Sequence, residues 1–388
     1  MSRPRVLVSA YACEPGRGSE PGVGWEWTRT IAELSDVTLL TRTDGQKQIL
    51  RQHFEELGIS CCVVALATPF DAGRGFPGKT YVRYMWWVLK ARRTARSLAE
   101  VNHFDLVHHV TYASDWLPAP RLANRPFIWG PVGGSSYAPK DLYRYLSYRQ
   151  RAADLLRKTI GRIFRRTVTR KTIKQANVAL ALNEDTANEL RRCGATDVRI
   201  EPNALLELES FSIHETNDRG ERPKKVVFAG RLLEWKGVQI AIRALALADT
   251  PWELHVLGDG PYRASLEKLA QATGVHQRVV FHGNVSRELV LRSLASADVY
   301  IHPSIHDSSP WSVAEAAAMG LPVLCFEVGG GAKLAGTWSR LISTSNPMTS
   351  INTHVKQAPQ RPSKLVPSTP WDRDRVKHLL ACLYEELL

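Results

Sequence analysis

Two carboxylates eight residues apart lie in the run from His306 to Pro322. Asp307 follows an apolar segment that we predict to be a strand, and Glu315 lies inside the Ala-rich segment after it, which we predict to be a helix. A carboxylate at such a strand end can lie over a ligand, and one in the first turns of the next helix can accept hydrogen bonds from two ribose hydroxyls. This spacing indicates a sugar-nucleotide site. The alternative is that Asp307 caps the helix and Glu315 is a solvated helix residue.

A pair of cations forms the second candidate group. Arg231 and Lys236 lie just after a predicted strand that ends at Ala229 and before a predicted helix. Two cations fixed at the carboxyl end of a strand can stabilise a leaving diphosphate, because negative charge accumulates there in the transition state. Ordinary surface charge is the alternative interpretation.

Tight turns end two further predicted strands in this half of the chain. One contains Gly258, and the other contains Asn284 and Val285. Their positions at strand ends suit contact with a nucleobase, through backbone groups more than through side chains.

The first half of the chain carries a glycine-rich run, from Glu14 to Trp25, that opens a predicted helix. Glycines such as Gly22 and Gly24 allow backbone N–H groups and a helix N-terminus to approach an anionic group. The run lacks the full GxGxxG spacing, so it does not support a dinucleotide fingerprint. A plain turn is an equally good interpretation.

Two more candidate positions end predicted strands of the first half. The adjacent His108 and His109 point to opposite faces of a strand, so only one of them can face a ligand; a buried structural histidine is the alternative. Gly133 and Gly134 end the next strand and indicate close approach of the backbone to a ligand or to the other domain.

Short apolar runs alternate with longer amphipathic runs, which is the pattern of parallel sheets covered by helices. We predict an α/β protein with two Rossmann-like, doubly wound domains that face each other across a cleft. The predicted strands are Val6–Tyr11, Val37–Thr41, Cys62–Leu66, Leu106–Val110, Phe127–Gly130 and Val178–Leu182, then Lys225–Ala229, Glu253–Leu257, Val279–Phe281, Val299–Ile301 and Pro322–Phe326. The predicted parts are an N-terminal acceptor-binding domain (1–213), a linker (214–223), a C-terminal donor domain (224–342), an irregular segment (343–370) and a C-terminal helix (371–388).

Length and composition agree with two soluble-type cores, since the chain has 388 residues of which 44% are hydrophobic. The six cysteines show no CxxC pair or regular spacing and predict neither a zinc site nor a disulfide framework. Reduced thiols in the cytosol fit best. The start of the chain is superficially similar to a signal peptide, but its apolar part is short, and a first buried strand is the better explanation.

A formal net charge of +13 predicts an anionic partner. Eleven Lys or Arg residues and a single acid lie between Arg144 and Lys174, in a stretch with one apolar helical face. This pattern favours a helix that lies on anionic membrane, the alternative being a domain helix with a basic solvated face. The stretch from Tyr81 to Arg96, with aromatic and basic residues, is a second candidate for a membrane surface or for a core helix. The apolar face of the first stretch consists of Leu156, Ile160, Ile163 and Phe164.

In this order the motifs resemble those of a retaining glycosyltransferase of family four with the GT-B fold, across the chain up to about Thr344. The resemblance implies that Arg231 and Lys236 bind the donor diphosphate. It also implies that Glu315 binds the ribose and that Asp307 contacts the donor sugar.

From the strand-end positions and the resemblance together we predict three groups of site residues, and the first two share members. The catalytic group is His109, Asp307, Arg231 and Lys236. The donor-binding group is Gly22, Gly24, Gly230, Arg231, Lys236, Gly258, Asn284, Val285, Ser309, Trp311 and Glu315. The acceptor-binding group is Glu20, His108, Gly133 and Gly134.

Three departures from the family pattern stand out. Asp307 replaces the first glutamate and is one methylene shorter, so a hydrogen bond to the sugar requires a closer backbone. Pro310 replaces a glycine and has no N–H to offer a phosphate, so Ser308, Ser309 or Trp311 must substitute. The segment after Ala335 lacks the usual glycine-rich continuation.

We therefore expect a transferase, independent of metal and of any cofactor, that moves a sugar from a nucleotide diphosphate sugar to a lipid-linked or polysaccharide acceptor with retention of configuration. We expect it at the cytoplasmic face of a membrane, held there by its basic helices, with no nucleic-acid partner. The alternatives are a sugar-nucleotide epimerase or hydrolase on the same architecture, or a non-catalytic protein that binds membrane or nucleic acid.

Overall fold

The computed structural model describes residues 3–42, 47–69, 79–206, 222–359 and 371–388, and they form two compact units. The first unit comprises the described residues up to Ser135 together with Thr159–Leu205 and Arg373–Leu388. The second unit comprises Ser136–Lys158 and the described residues from Leu206 to Asp372. The α-helices, in chain order, are α1 Ser19–Leu34, α2 Lys47–Glu56, α3 Lys79–Val101, α4 Tyr148–Arg166, α5 Arg170–Gln175, α6 Glu184–Arg192, α7 Val238–Ala246, α8 Arg263–Ala272, α9 Arg287–Ala295, α10 Trp311–Ala318, α11 Gly331–Ala335, α12 Pro347–Lys356 and α13 Arg373–Leu387.

The first unit is built on a parallel sheet. Its strands are β1 Arg5–Ala10, β2 Asp36–Arg42, β3 Cys61–Leu66, β4 Leu106–Thr111, β5 Phe127–Val132, β6 Val178–Ala181 and β7 Val198–Ile200. They lie in the order β3-β2-β1-β4-β5-β6-β7. Every residue of β4, β5 and β6 is buried, as expected for parallel strands covered on both faces. The strand order reverses between β1 and β4, which makes the carboxyl ends of these two strands a switch point.

The second unit repeats this design. Its strands are β8 Lys224–Ala229, β9 Trp252–Leu257, β10 Val279–Gly283, β11 Val299–His302, β12 Val323–Cys325 and β13 Ser339–Leu341. All its pairings are parallel, in the order β10-β9-β8-β11-β12-β13. The reversal falls between β8 and β11, so the loops that follow these two strands meet at the switch point of this sheet.

The predicted α/β class with two Rossmann-like domains is confirmed. Each predicted strand corresponds to an observed one, and the two strands that the sequence did not reveal, β7 and β13, have three residues each. Their side chains are only partly buried, so they lack the apolar run by which a buried strand is recognised.

The units differ from the predicted domain limits at two places. Residues 136–158 belong to the second unit, because Leu142 and Leu146 lie in its hydrophobic core. The predicted C-terminal helix, α13, belongs to the first unit, where Arg373 pairs with Glu33. The predicted linker lies largely outside the described residues.

Helix α12 occupies a segment that we predicted to be irregular. It begins with Pro347 at its N-terminus, and its buried residues Ile351 and Val355 are spaced one helical turn apart against α7. Asn352 fixes the helix further, since its side chain donates to the carbonyl of Ala244 at 2.9 Å. Because the segment is mostly polar, the helical spacing of its two buried apolar residues did not stand out in the sequence.

Helix α4 covers the predicted basic stretch, but its inward side is polar. Asp154 and Arg165 are the buried charges of this helix, while Leu155, Leu156 and Ile163 are 65%, 60% and 54% exposed. The predicted apolar face therefore points largely to solvent. No helix within the described residues is long and apolar enough to cross a membrane.

We predict that Ile351→Ala lowers the free energy of unfolding of the second unit by about 2–4 kcal/mol, because it removes a fully buried side chain between α12 and α7. Urea denaturation followed by circular dichroism measures the change. Thr353→Ala, at an exposed position of the same helix, serves as the control and should change stability by less than about 0.5 kcal/mol. Equal effects of the two substitutions would contradict the packing of α12.

Candidate active site

Two loops meet at the switch point of the second unit. One follows β8 and contains Arg231 and Lys236; the other follows β11 and contains Asp307. Gly237 permits their contact, because its φ is +76° and a Cβ on it would lie 1.8 Å from the carbonyl oxygen of Pro303. The predicted cations and the first predicted carboxylate thus share one edge of the sheet.

Lys236 and Asp307 form a direct ion pair. The Lys236 Nζ contacts Asp307 Oδ2, and His302 Nε2 lies 3.2 Å from the same oxygen. Burial opposes ionisation of Asp307, but Lys236 and His302 outweigh it and hold the pKa of this carboxyl well below its usual range. Burial lowers the pKa of His302 although Asp307 opposes the shift. Asp307 is therefore an ionised carboxylate held by an ammonium group and a neutral imidazole.

Arg231 lies apart from this pair. Its side chain is exposed, and within the described ranges its guanidinium makes no ion pair. The structure therefore brings one of the two predicted cations to Asp307 and leaves the other open to solvent. Gly230 and Gly258 lie beside it, since a Cβ on Gly258 would lie 2.1 Å from the carbonyl oxygen of Gly230.

Glu315 is also paired with a cation. It lies in α10, is 8% exposed, and its Oε1 is 3.1 Å from Nε of Arg287. Burial raises the pKa of Glu315, whereas Arg287 acts in the opposite direction. Arg287 begins α9 shortly after the predicted contacts Asn284 and Val285, so the turn after β10 comes alongside Glu315.

Sequence reasoning missed Arg287, although the residue directly follows a turn that it had singled out. The guanidinium also lies over the ring of Trp311, 5.7 Å from its centroid. Trp311 Nε1 and Ser309 Oγ are buried, and neither makes a hydrogen bond to another described residue. A predicted donor-binding pair thus carries buried polar atoms with unused hydrogen-bonding capacity.

The glycine run 329–331, which was not predicted as part of the site, supports the loop that carries Asp307. A Cβ on Gly329 would lie 1.8 Å from the carbonyl oxygen of Asp307, and one on Gly330 would lie 2.1 Å from that of Ser308. The N–H of Gly330 donates to the Asp307 carbonyl at 3.1 Å. Three consecutive glycines after a strand were the available signal.

In the first unit, both predicted histidines are fully buried. His109 bonds to Ser9 Oγ at 2.8 Å through Nδ1 and to Tyr84 Oη at 3.1 Å through Nε2. His108 Nε2 lies 2.9 Å from the carbonyl oxygen of Gly130. Burial lowers the pKa of His108 to about 4 and that of His109 to about 3, so both rings are neutral near pH 7. Both residues therefore have the geometry of buried structural histidines, which was the alternative interpretation of this pair.

The predicted glycines of the first unit approach other parts of the protein. Gly24 lies inside α1, and a Cβ on it would lie 1.9 Å from the carbonyl oxygen of Ala12. Gly22 is buried in the same helix. Gly134 has a φ of +121°, and a Cβ on it would lie 2.3 Å from Oδ1 of Asp115. Glycine at 24 and 134 is thus required by contacts within the unit.

Gly133 and Glu20 lie at the carboxyl edge of the first sheet. Gly133 forms an isolated bridge with Ser114. Glu20, in the first turn of α1, accepts a hydrogen bond from the N–H of Tyr112 at 3.0 Å. Among the predicted acceptor-binding residues, Glu20 is the titratable group that remains partly exposed.

Two doubly wound units, each with candidate residues at its switch point, define the GT-B fold. Residues 32–205 match the family model described as Glycosyltransferase Family 4, and residues 210–364 match the model described as Glycosyl transferases group 1. Together these models cover most of the chain, which belongs to the GT-B glycosyltransferases.

Individual relatives match parts of the chain. It is 36% identical over 106 residues to 2-deoxystreptamine glucosyltransferase of Streptomyces kanamyceticus, covering 26% of this chain and 27% of the relative. It is 27% identical over 179 residues to alpha-D-kanosaminyltransferase of the same organism, covering 42% of this chain and 46% of the relative. The matched regions span less than half the length of these curated relatives.

Solved structures extend the likeness of fold to the whole chain. The Anabaena protein HepE, in complex with UDP and glucose, superposes with a TM-score of 0.60 at 16% identity, covering 99% of this chain and all of that chain. At this level of identity the comparison concerns the fold alone.

We predict that the stabilisation contributed by Asp307 depends on pH. Its folded-state pKa is depressed, so the contribution is complete above the unfolded-state pKa of about 4 and is lost as the pH falls towards the folded-state pKa. Asp307→Asn should therefore lower the melting temperature by a constant amount between pH 5 and pH 8, and by less below about pH 4.

Thermal melts of both proteins across this range measure the difference. Asp141→Asn, at an exposed position of the same unit, is the control and should leave the melting temperature within about 1 °C at every pH. A melting-temperature difference for Asp307→Asn that persists unchanged at low pH would show that the Lys236–Asp307 attraction is not its source.

Proposed function

We propose that this protein transfers a sugar from a nucleotide diphosphate sugar to a lipid-linked or polysaccharide acceptor, with retention of the anomeric configuration. The observation that carries the proposal is the pair of cation–carboxylate contacts, Lys236–Asp307 and Arg287–Glu315, at the switch point of the second unit. The glucosyltransferase and kanosaminyltransferase relatives support this class of reaction.

In the proposed donor complex, Glu315 accepts hydrogen bonds from the ribose hydroxyls. Arg287 remains beside Glu315 and compensates its buried negative charge, because burial of an unpaired carboxylate is strongly unfavourable. The diphosphate draws Lys236 away from Asp307 and engages the exposed Arg231, and Asp307 becomes free to accept a hydrogen bond from a sugar hydroxyl.

In the proposed reaction, the bond between the anomeric carbon and the diphosphate oxygen breaks, and its electron pair leaves with the diphosphate. Lys236 and Arg231 stabilise the charge that develops there. The acceptor hydroxyl attacks the anomeric carbon from the face that the diphosphate leaves, and its proton passes to a diphosphate oxygen. Attack on that face keeps the configuration. No protein nucleophile takes part in this scheme.

We also propose that α3 and α4 hold the protein on an anionic membrane surface. Apolar side chains of α4 are exposed beside its many basic residues, and α3 exposes Trp86 at 54% and Leu89 at 52%. Apolar groups can enter the lipid interface while Lys and Arg meet anionic headgroups. A lipid-linked acceptor would then reach the enzyme in two dimensions.

A thermal-shift panel of UDP-, GDP- and ADP-sugars tests donor binding, because a ligand that binds only the folded protein raises its melting temperature. One member of the panel should raise it in proportion to the logarithm of its concentration. If none does so at millimolar concentration, donor binding is refuted. Release of free monosaccharide without any acceptor would favour a hydrolase.

We predict that Lys236→Ala reduces sugar transfer at least about 100-fold, because a cation that stabilises the leaving diphosphate is removed. It should also lower the melting temperature, since Asp307 is left buried without its partner. The double variant Lys236→Ala/Asp307→Asn should recover most of the melting temperature but none of the activity. Lys268→Ala, at an exposed position of α8, is the control. Near-normal transfer by the single variant would remove Lys236 from the mechanism.

We predict that membrane binding requires the exposed apolar residues of α4. The protein should sediment with vesicles that contain phosphatidylglycerol and remain in solution with pure phosphatidylcholine. Ile163→Glu should weaken sedimentation at least about tenfold, because it places a carboxylate at the lipid interface. Leu247→Glu, at an equally exposed position elsewhere, should have no such effect. Equal losses in both variants would indicate non-specific charge effects and refute the α4 surface.

A further inference from the structure

Tyr112 lies at the switch point of the first sheet. It directly follows β4, and Tyr11 directly follows β1, the neighbouring strand on the other side of the reversal. Ligands of doubly wound sheets bind in the crevice beyond the carboxyl ends of these two strands. Both tyrosines therefore stand where a small molecule would enter the first unit.

The backbone of Tyr112 is in the left-handed region, with a φ of +55°. A bulky side chain rarely adopts this strained conformation, and residues that do so cluster at ligand sites. If this turn served only to redirect the chain, Gly or Asn would fill it without strain. The protein keeps an aromatic ring here against a conformational cost.

Glu20 is the side chain that fixes this turn. Its Oε2 accepts the hydrogen bond from the Tyr112 N–H, from the first turn of α1. Burial raises the pKa of Glu20, and the bond from Tyr112 acts in the opposite direction. The contact is local to one unit and joins α1 to the loop after β4.

The ring of Tyr112 is held by two other tyrosines. It stacks on Tyr84, with centroids 5.5 Å apart and an interplanar angle of 22°, and meets the edge of Tyr11 at 4.7 Å. Tyr84 is itself fixed, because its hydroxyl donates to the carbonyl of Pro118 at 2.9 Å. Tyr11 and Tyr84 are fully buried, whereas Tyr112 is partly exposed. The cluster thus presents part of one rigid ring to solvent.

We propose that the Tyr112 ring is the platform on which a pyranose ring of the acceptor stacks, and that Glu20 is the positioning residue that holds this platform in place. A pyranose has an apolar face of C–H groups, and an aromatic ring that is fixed by its neighbours and partly exposed is complementary to it. This inference rests on the proposed transfer to a glycan acceptor and names the residue that binds the acceptor.

Saturation-transfer NMR with methyl β-D-glucopyranoside, methyl β-D-galactopyranoside and methyl α-D-mannopyranoside tests the platform. At least one probe should receive saturation at the C–H protons of one ring face. Tyr112→Phe keeps the ring and should bind that probe within threefold of the wild-type affinity. Tyr112→Gly and Tyr112→Asn suit the backbone conformation without the ring, and both should weaken binding at least tenfold.

Asn124→Gly is the matched control for the glycine substitution. Asn124 is an exposed residue with a φ of +59°, so the change makes the same backbone replacement away from the proposed platform. It should leave probe binding unchanged. Undiminished binding by Tyr112→Gly, or no saturation transfer to any of the three probes from the wild-type protein, would overturn the proposal.

Two substitutions distinguish a positioning role of Glu20 from a role in acid–base chemistry. Glu20→Gln retains an oxygen that accepts from the Tyr112 N–H and should keep probe affinity within threefold. Glu20→Ala removes the carboxylate that accepts the hydrogen bond from the Tyr112 N–H. It should weaken probe affinity with little effect on binding of the nucleotide sugar. If Gln abolishes transfer while probe affinity stays intact, Glu20 acts in the chemistry and the positioning role is wrong.

Donor binding distinguishes a failure of this inference from a failure of the proposed function. The residues proposed to bind the diphosphate and the ribose, Lys236, Arg231 and Glu315, lie in the second unit, so the thermal shift caused by the nucleotide sugar should be the same in Tyr112→Gly and wild type. A preserved donor shift with unchanged probe affinity in Tyr112→Gly overturns the platform alone. A wild-type protein that responds to no nucleotide sugar overturns the proposed transferase instead.

Discussion

The ion pair between Lys236 and Asp307 is the contact on which the site of the second unit depends. It joins the loops after β8 and β11, which the topology of the sheet brings together and which Gly237 allows to touch. Neither charge would be stable in this partly buried position alone, because desolvation of an unpaired ion costs several kcal/mol. The pair keeps Asp307 ionised, and in the proposed donor complex a diphosphate replaces this carboxylate as the partner of Lys236.

Helix α4 contributes to the same site through a polar contact. Asp154 of α4 lies 3.3 Å from Nε2 of His306, the residue before Asp307, and the His306 ring stacks on Trp235, the residue before Lys236. Both members of the ion pair are thus flanked by one histidine–tryptophan stack that α4 supports. This contact accounts for the buried carboxylate of Asp154 on α4.

The sequence was sufficient for the strands with an apolar run and for the loops that carry Arg231, Lys236 and Asp307, because both depend on local signals. Apolar runs such as the one ending at Ala229 identify buried parallel strands, and a cation or carboxylate directly after a strand must lie at the carboxyl edge of the sheet. Tertiary partners have no such signal. Arg287 reaches Glu315 from another helix, and His109 is enclosed by Ser9 and Tyr84 from two other elements.

The backbone that carries the carboxylate at position 307 is held closely by a neighbouring loop. By family resemblance a glutamate is usual here, and an aspartate must be carried closer to its partners to make the same contacts. The glycines at 329 and 330 allow the loop after β12 to lie against the backbone of Asp307 and Ser308, at a distance that any Cβ would prevent. The two glycines contact the backbone of this loop, and Lys236 contacts the Asp307 side chain. The position of this carboxylate is therefore set by residues on three different loops. The sequence shows an aspartate after a strand, but contacts that come from three loops depend on the tertiary structure and have no local signal.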